Sequence, residues 1–312
     1  MPISNYPNGF QNGVSIQGMP VLNTYAGNVF WVDSGAGSDQ NKGTERRPFS
    51  TLDYAIGKCT ANNGDIIIIK PGHSESVSAA AGVAFDVAGI TVVGLGSGSA
   101  RPTFTFDTAI TADIDIDAAN VTLQNLLFVN GIDNLTAPID VNADDFTMVG
   151  CECRDNNSSY HCDDFIQTVA TADRMSLIDH VHRANGGKTG AQTAVSIVGG
   201  DDHVIIPLYM DGDFATAVIE NVTTACDSLQ VFGKGDFPAY LRNRNSGDVI
   251  VTAVATTKGR VGPFINARLA DDAANITEAF VGADMEFFQP INIVNADGES
   301  SMQTNITAST DA

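Results

Sequence analysis

The chain has 312 residues, with 37 Asp and Glu against 16 Lys and Arg, a formal net charge of −21 and 43% hydrophobic residues. That length holds one large domain or two ordinary ones, with enough apolar material for a sizeable core. A surface this acidic repels phosphate backbones and anionic lipid, which excludes nucleic acid and membrane surfaces as expected partners.

Residues 1–28 carry no charged side chain and mix Asn, Gly and Pro with isolated apolar residues: Tyr6, Phe10, Val14, Ile16, Met19, Val21 and Leu22. A free tail is normally charged and hydrophilic. This composition predicts an arm laid on another protein, or, failing that, an extended strand packed along the chain's own body. The polar stretch VDSGAGSDQNKGTERRPFSTLDYAI, residues 32–56, then leads into a short helix near residues 50–59. Ser50 reads as its N-cap and Asp53 as the capping-box partner, with Phe49 stapled to Tyr54. Phe49, Leu52, Ile56 and Cys59 form a stripe at helical spacing, as expected of a lid with one apolar face. GDIIIIKPG follows at residues 64–72, and its four isoleucines predict a strand buried on both faces.

Beyond the lid the sequence repeats. GITVVGLG, NVTLQNLLFVNG, DFTMVGCECRDN, DRMSLIDHVHRAN, DHVIIPLYMDGD and DSLQVFGKGD each place Asn, Asp or Gly before an apolar anchor. The anchors are Ile90, Val121, Phe146, Met175, Val204 and Leu229, spaced by 31, 25, 29, 29 and 25 residues. Further short alternating runs, such as FDV, IDID and IDVN, precede most of them. Two or three short strands per period of this length define the coil of a parallel β-helix. A leucine-rich repeat would need a fixed Leu lattice, and a propeller blade about 40 residues. The fold class is therefore all-β: a parallel β-helix solenoid with a short N-terminal capping helix. The expected division is an arm at 1–28, the solenoid at 29–246, and a distal cap or oligomer-contact segment at 247–312.

Charge is uneven along the chain. Lys234, Arg242, Arg244, Lys258, Arg260 and Arg268 lie within 35 residues, and only acids follow Arg268. Such a patch and tail pair within the chain or across a subunit interface, or remain solvated. The N-terminus has no basic stretch followed by an apolar one, so no signal peptide is expected. No apolar run reaches the length of a membrane span. Five cysteines without regular spacing do not read as a disulfide framework and fit synthesis in a reducing cytoplasm.

FWVDSGAGSDQNKGTERRPFSTLDYAIGKC followed by GDIIIIKPGHSESV resembles the N-terminal cap and first coil of pectate-lyase-like right-handed parallel β-helix proteins. Within that group it is most similar to virion proteins of tailed bacteriophages: capsid decoration proteins, fibres and tailspikes. The resemblance covers residues 29–80 by motif and extends to about 235 by repeat. It implies a right-handed coil, a homotrimer and a place on the virion surface after synthesis in the host cytoplasm. It also implies an N-terminal arm bound to the major capsid protein or another virion protein. Enzymes and inert fibres share this scaffold, so activity is a separate question.

β-Helix lyases and hydrolases use clustered carboxylates on the outer face of stacked strands. Asp201 and Asp202 are similar to the paired aspartates of polygalacturonase-like hydrolases, but the Gly-His-Gly and Arg-x-Lys signatures are missing. Asp202 also falls in the turn phase of Asn120, Asp145, Asp173 and Asp227. Asp163 and Asp164, near His161 and Arg154, are the better catalytic pair, against the plain reading of a solvated loop. Cys151, Cys153, His180 and His182 fall five and seven residues after their anchors, so the two pairs stack in adjacent coils. Two Cys and two His so placed match a tetrahedral Zn²⁺ site. The same columns hold Leu126 and Phe128 one coil earlier and Tyr209 and Asp211 one coil later, which favours an ordinary stacking column. No catalytic residue, metal or cofactor is expected on balance. The leading expectation is a structural virion protein, a capsid-surface decoration or cement protein. The alternatives are a tailspike-type polysaccharide depolymerase and a non-catalytic adhesin that binds a surface glycan.

Overall fold

The computed structural model describes residues 14–16, 19–21, 27–184, 191–235, 237–244, 248–262, 264–269, 280–281, 284–287, 291–296 and 299–302. From Val29 the chain winds as a parallel β-helix of about seven turns with three faces. The first face stacks Val29–Val32, Ile66–Ile69, Thr91–Gly94, Thr122–Gln124 and Thr147–Val149, then residues 176–178 and 204–206, then Asp227–Val231, Lys258–Val261 and Asp284–Phe287. The second stacks Ser74–Val77, Thr103–Phe106, Leu127–Asn130 and Glu152–Asp155, then 181–183 and 209–212, then Ala239–Asn243, Phe264–Leu269 and Ile291–Ala296. The third is an eight-stranded sheet from Val83–Ala84 through Ile114–Ile116, Ile139–Val141, Asp164–Thr168, Thr193–Ile197, Ala217–Asn221 and Asp248–Thr252 to Phe280–Val281.

Parallel pairing in register places like side chains over like, and the two-residue period of a strand sends alternate residues inward. Thr91, Thr122, Thr147, Ser176 and Val204 make one outward row. Their neighbours Val92, Leu123, Met148, Leu177 and Ile205 are fully buried. On the third face Ile114, Ile139, Ile166, Val195, Ile219 and Ile250 form the inward column. Each of these side chains contributes about 1.5–3 kcal/mol by leaving water. In Ile66–Ile69 only Ile67 and Ile69 are buried. The strand expected to be buried on both faces thus has one inner face, and its outer isoleucines are half-covered by neighbouring rows.

The residue before each anchor takes the left-handed conformation: Gly89, Asn120, Asp145, Arg174, Asp202 and Ser228 have φ of 75°, 62°, 60°, 60°, 60° and 77°. Two details differ from the sequence reading. Arg174 and Ser228 occupy this position, with Asp173 and Asp227 one residue earlier. In the fifth coil the inward anchor is His203, because Val204 pairs with Ser176 in the outward row. His203 is tolerated in the core because both ring nitrogens are satisfied. Nε2 lies 3.0 Å from the Gly199 carbonyl, and Nδ1 accepts the Met175 N–H at 3.2 Å. Beside this column runs an aspartate ladder. Asp144 accepts the Asp173 N–H at 3.0 Å, Asp173 that of Asp201 at 2.9 Å, and Asp201 that of Asp227 at 2.7 Å.

The lid helix is Leu52–Ile56, and Leu52, Ala55 and Ile56 are buried. The Phe49 and Tyr54 rings meet edge-on at 5.1 Å, as the staple requires. The cap differs from the expected box. Thr51 is the N-cap and makes no side-chain cap bond. Asp39 instead accepts the Ser50 N–H at 2.9 Å, and Glu75 of the second face accepts the Leu52 N–H at 3.0 Å. Carboxylates distant in sequence thus satisfy the orphan donors and tie the lid to the coil below.

At the N-terminus, Val14–Ile16 pairs antiparallel with Met19–Val21 as a two-stranded sheet separate from the solenoid sheets. Tyr6, Phe10 and Leu22 lie outside the described residues. Parallel pairing continues beyond residue 246, through Lys258–Val261 with Asp284–Phe287 and Phe264–Leu269 with Ile291–Ala296. Glu299–Met302 then folds back antiparallel on Ile291–Ala296.

Candidate functional site

The outer side of the third face gathers carboxylates. Asp115 and Asp140 pair directly in adjacent coils, and Gln167, Ser196 and Glu220 continue their row. Asp113 flanks it and accepts the Ala81 N–H at 2.5 Å. Burial, then the charges of Asp113 and Asp117, push Asp115 up to about 6. Burial, then Asp115 and Asp117, push Asp140 up to about 6. One oxygen of Asp140, Oδ1, is buried without a hydrogen-bond partner among the described residues. Carboxyls whose pKa values are raised toward neutrality are what general acid–base chemistry needs.

This crowding has a measurable sign. Folded values near 6 lie above the 3.8 of an unperturbed aspartate, so ionising these groups costs stability above pH 6, a cost relieved as pH falls. The double variant Asp115→Asn, Asp140→Asn is expected to exceed wild type by on the order of 1–2 kcal/mol at pH 7.5 after discounting for solvent screening. The advantage should shrink below about pH 6 and vanish near 4 in urea titrations at several pH values. Taking the difference removes the opposing contribution of the buried histidines, which both proteins share.

The acids chosen from the sequence lie elsewhere. Asp201 serves the aspartate ladder, and Asp202 is the left-handed turn residue of its coil. Asp163 and Asp164 diverge. Asp163 Oδ1 lies 3.8 Å from His161 Nε2, while His161 Nδ1 faces Asp133 at 2.9 Å. Asp164 accepts from the Thr193 hydroxyl at 2.7 Å and the Gln167 amide at 3.3 Å. Burial pushes Asp164 up against those bonds. Arg154 lies 3.9 Å from Glu152 instead.

In the core of the second face, Phe104, Phe128, Cys153, His182, Met210 and Leu241 form one inward column. Leu126, Cys151 and His180 stack beside it at the turn from the first face. One coil after the histidines the partners are Pro207 and Met210, where the sequence reading gives Tyr209 and Asp211; the shift is one residue at His182, matching the move of the anchor to His203, and two at His180, where the strand pairing is irregular on either side. Cys153, His180 and His182 bring one sulfur and two nitrogens within 4.8 Å of one another, all buried. Cys151 is not among them: its Sγ points to the carbonyls of Leu123 at 3.6 Å and Val149 at 3.7 Å. Burial pushes His180 down to about 4 and, with the His180 charge, His182 down to about 3. It pushes the Cys151 thiol up to about 11 and Cys153 well above its ordinary value.

A third feature is an open groove of about 670 Å³ on the first face, lined by Asp227, Gln230, Lys258, Arg260, Asp284 and Glu286 among others. Lys258 meets Asp227 at 3.4 Å, and Arg260 meets Glu286 at 2.9 Å; the second pair joins the basic patch to the acidic tail within the chain. On the second face the Tyr209 and Tyr240 rings stack at 4.8 Å under Arg183.

Three stacked parallel faces around one apolar core define the class of protein: a parallel β-helix. No protein-family model matches the chain, and no curated protein matches it. Among solved structures it is similar to a rhamnogalacturonan lyase, 12% identical, covering 90% of this chain and 85% of that one at a TM-score of 0.46. It is also similar to a GH136 lacto-N-biosidase from Eubacterium ramulus, 12% identical, covering 84% of this chain and 68% of that one at a TM-score of 0.45.

Proposed function

We propose that this chain is a structural protein of a tailed-bacteriophage particle, a decoration or cement protein of the capsid surface. The observation that supports this reading is the N-terminal hairpin, Val14–Ile16 with Met19–Val21, which among the described residues pairs with itself and with neither solenoid sheet. It lies in a 28-residue segment without a charged side chain, suited to lie on a neighbouring protein. The major capsid protein or another virion protein is the partner, and three chains assemble together. The aspartate ladder fits this role, because it spends carboxylates on holding coils together. Removing residues 1–28 is expected to abolish co-sedimentation with particles that lack the protein, while the circular dichroism of the solenoid is retained. Undiminished binding of the truncated chain would refute the proposal.

A second reading, cleavage of a surface polysaccharide, draws on the Asp113, Asp115 and Asp140 cluster. It requires new reducing ends, or unsaturated products, from host polysaccharide, with loss of that activity in Asp115→Asn and Asp140→Asn. Glycan binding without turnover would mark an adhesin instead.

A further inference from the structure

We propose that Cys153, His180 and His182 form a buried binding site for a single thiophilic d¹⁰ metal ion, a cuprous or zinc ion, locked between two coils of the solenoid.

Three observations converge on it. First, the donors belong together: one thiol sulfur and two imidazole nitrogens lie within 4.8 Å of one another. Bond lengths of about 2.3 Å to sulfur and 2.0–2.1 Å to nitrogen need donors roughly 3.5 Å apart. Closing that gap takes about an ångström of side-chain rotation. Second, both ring nitrogens of His180, and Nδ1 of His182, are buried without a hydrogen-bond partner among the described residues, with the residues 0% and 1% exposed. A neutral imidazole carries one donor and one acceptor, and each left unpaired in a core costs about 1–3 kcal/mol. His203, in the same coil stack, shows the contrast, since both its nitrogens are satisfied. Third, the apolar alternative is present in the same columns: Leu126 precedes Cys151 and His180, and Phe128 precedes Cys153 and His182. Packing alone would be served at less cost by those residues.

The surroundings favour a soft ion. The Phe165 and Phe214 rings lie 5.3 and 5.6 Å from His182 and exclude water on its flanks. Met210 follows His182 in the column and is fully buried, which places a thioether residue one coil on. Thiolate and imidazole donors suit copper(I) and zinc(II) over hard cations. On binding, the Cys153 thiol gives its proton to solvent and the sulfur bonds the ion. One thiolate and two neutral imidazoles make a neutral site with Cu⁺ and leave one positive charge with Zn²⁺, and an uncompensated buried charge is costly. That difference favours the cuprous ion. With no exposed donor, the ion is captured as the coils stack and is then held against chelators.

The test uses the full chain, refolded anaerobically in two arms, one with Cu⁺ buffered by bathocuproine disulfonate and one with Zn²⁺. One ion per chain is expected, resistant to chelator after refolding, with X-ray absorption showing one sulfur and two nitrogen neighbours. Cys153→Ser and His180→Leu should each weaken binding by about 100-fold or more. Cys151→Ser, outside the donor set, should bind as wild type. Leu126 sets a precedent for leucine at position 180, so His180→Leu is expected to fold. Its metal-free melting temperature should equal or exceed that of metal-free wild type, whereas metal should raise only the wild-type value. Retention of either ion by these three donors supports the site, and the arm that retains it identifies the ion. Failure to retain either ion, or retention insensitive to Cys153→Ser, would overturn it.

Discussion

Replacing Asp65 with alanine is expected to lower the unfolding free energy by about 3–5 kcal/mol, because several donors would be left in the core boundary without acceptors. The Asp65 carboxylate is fully buried and accepts the Asn28 N–H at 2.6 Å, the Thr60 N–H at 2.7 Å and the Asn63 amide at 2.7 Å. These partners belong to the entry into the first coil, the turn after the lid helix, and the loop before Ile66–Ile69. One carboxylate therefore joins the lid to the solenoid. Burial pushes its pKa up, yet the Asn28 and Thr60 backbone bonds and the Asn63 and Asn28 amides outweigh that and hold it below 3.8. The sign follows: its contribution is present above the unfolded value and is lost as pH falls through the folded one. Asparagine offers one acceptor oxygen and adds two donors among donors, so Asp65→Asn should recover little. A solenoid depends on its end cap, and the loss should appear as fraying of the first coil. Urea denaturation gives the size, and hydrogen exchange at Ile66–Ile69 gives the place. A variant within 1 kcal/mol of wild type would show that the lid is not held through this residue.

The second large effect is at Asp211. Its side chain is 3% exposed and is clamped by Arg242 Nε at 2.7 Å, by Arg244 Nε at 2.8 Å and by the Tyr209 hydroxyl at 2.5 Å. Burial works against the charge, but Arg244, Arg242 and Tyr209 together bring the carboxyl down to about 2 from 3.8. That difference contributes on the order of 2 kcal/mol at neutral pH, and it is lost as pH falls from about 4 to 2. Asp211→Ala should cost about 3–5 kcal/mol, since it also leaves the partly buried Arg242 charge uncompensated. Comparing acid unfolding of wild type and Asp211→Ala isolates the effect: the gap should narrow only below pH 4. A gap unchanged down to pH 2 would assign the loss to packing.

Several elements are legible in the sequence alone, and particular residues show why. The Gly89, Asn120 and Asp145 turns announced themselves because few residues tolerate positive φ, and their spacing set the coil length. The lid was legible from the stripe of Phe49, Leu52 and Ile56, all buried. Its true cap was not, since Asp39 and Glu75 reach it from outside the local sequence. His203 does not read as an anchor in the sequence, because a histidine is polar until the Met175 N–H and the Gly199 carbonyl are brought to it. That slip displaces the expected partner of His182 by one residue, and the irregular pairing around His180 adds a second residue there.

The candidate sites divide in the same way. The Cys and His pairs stood out at two-residue spacing, and alternation placed each pair on one face. Which donors meet was a matter of side-chain direction: Cys151 turns to backbone carbonyls and Cys153 to the histidines. Asp115 and Asp140 are not legible as a pair in the sequence, being 25 residues apart and resembling the polar half of any alternating strand. The IDID and IDVN runs held the signal, but it acquires chemical meaning only when the two coils stack.

Alone, the sequence determined the coil, its period, the lid and the inward alternation, because these follow from local steric preference and from a strand's period of two. Only the tertiary structure decided which carboxylates share a field, which imidazoles lack a partner and which distant acids cap the lid. Those properties depend on neighbours one full coil away, and a one-residue change of register reassigns every one of them.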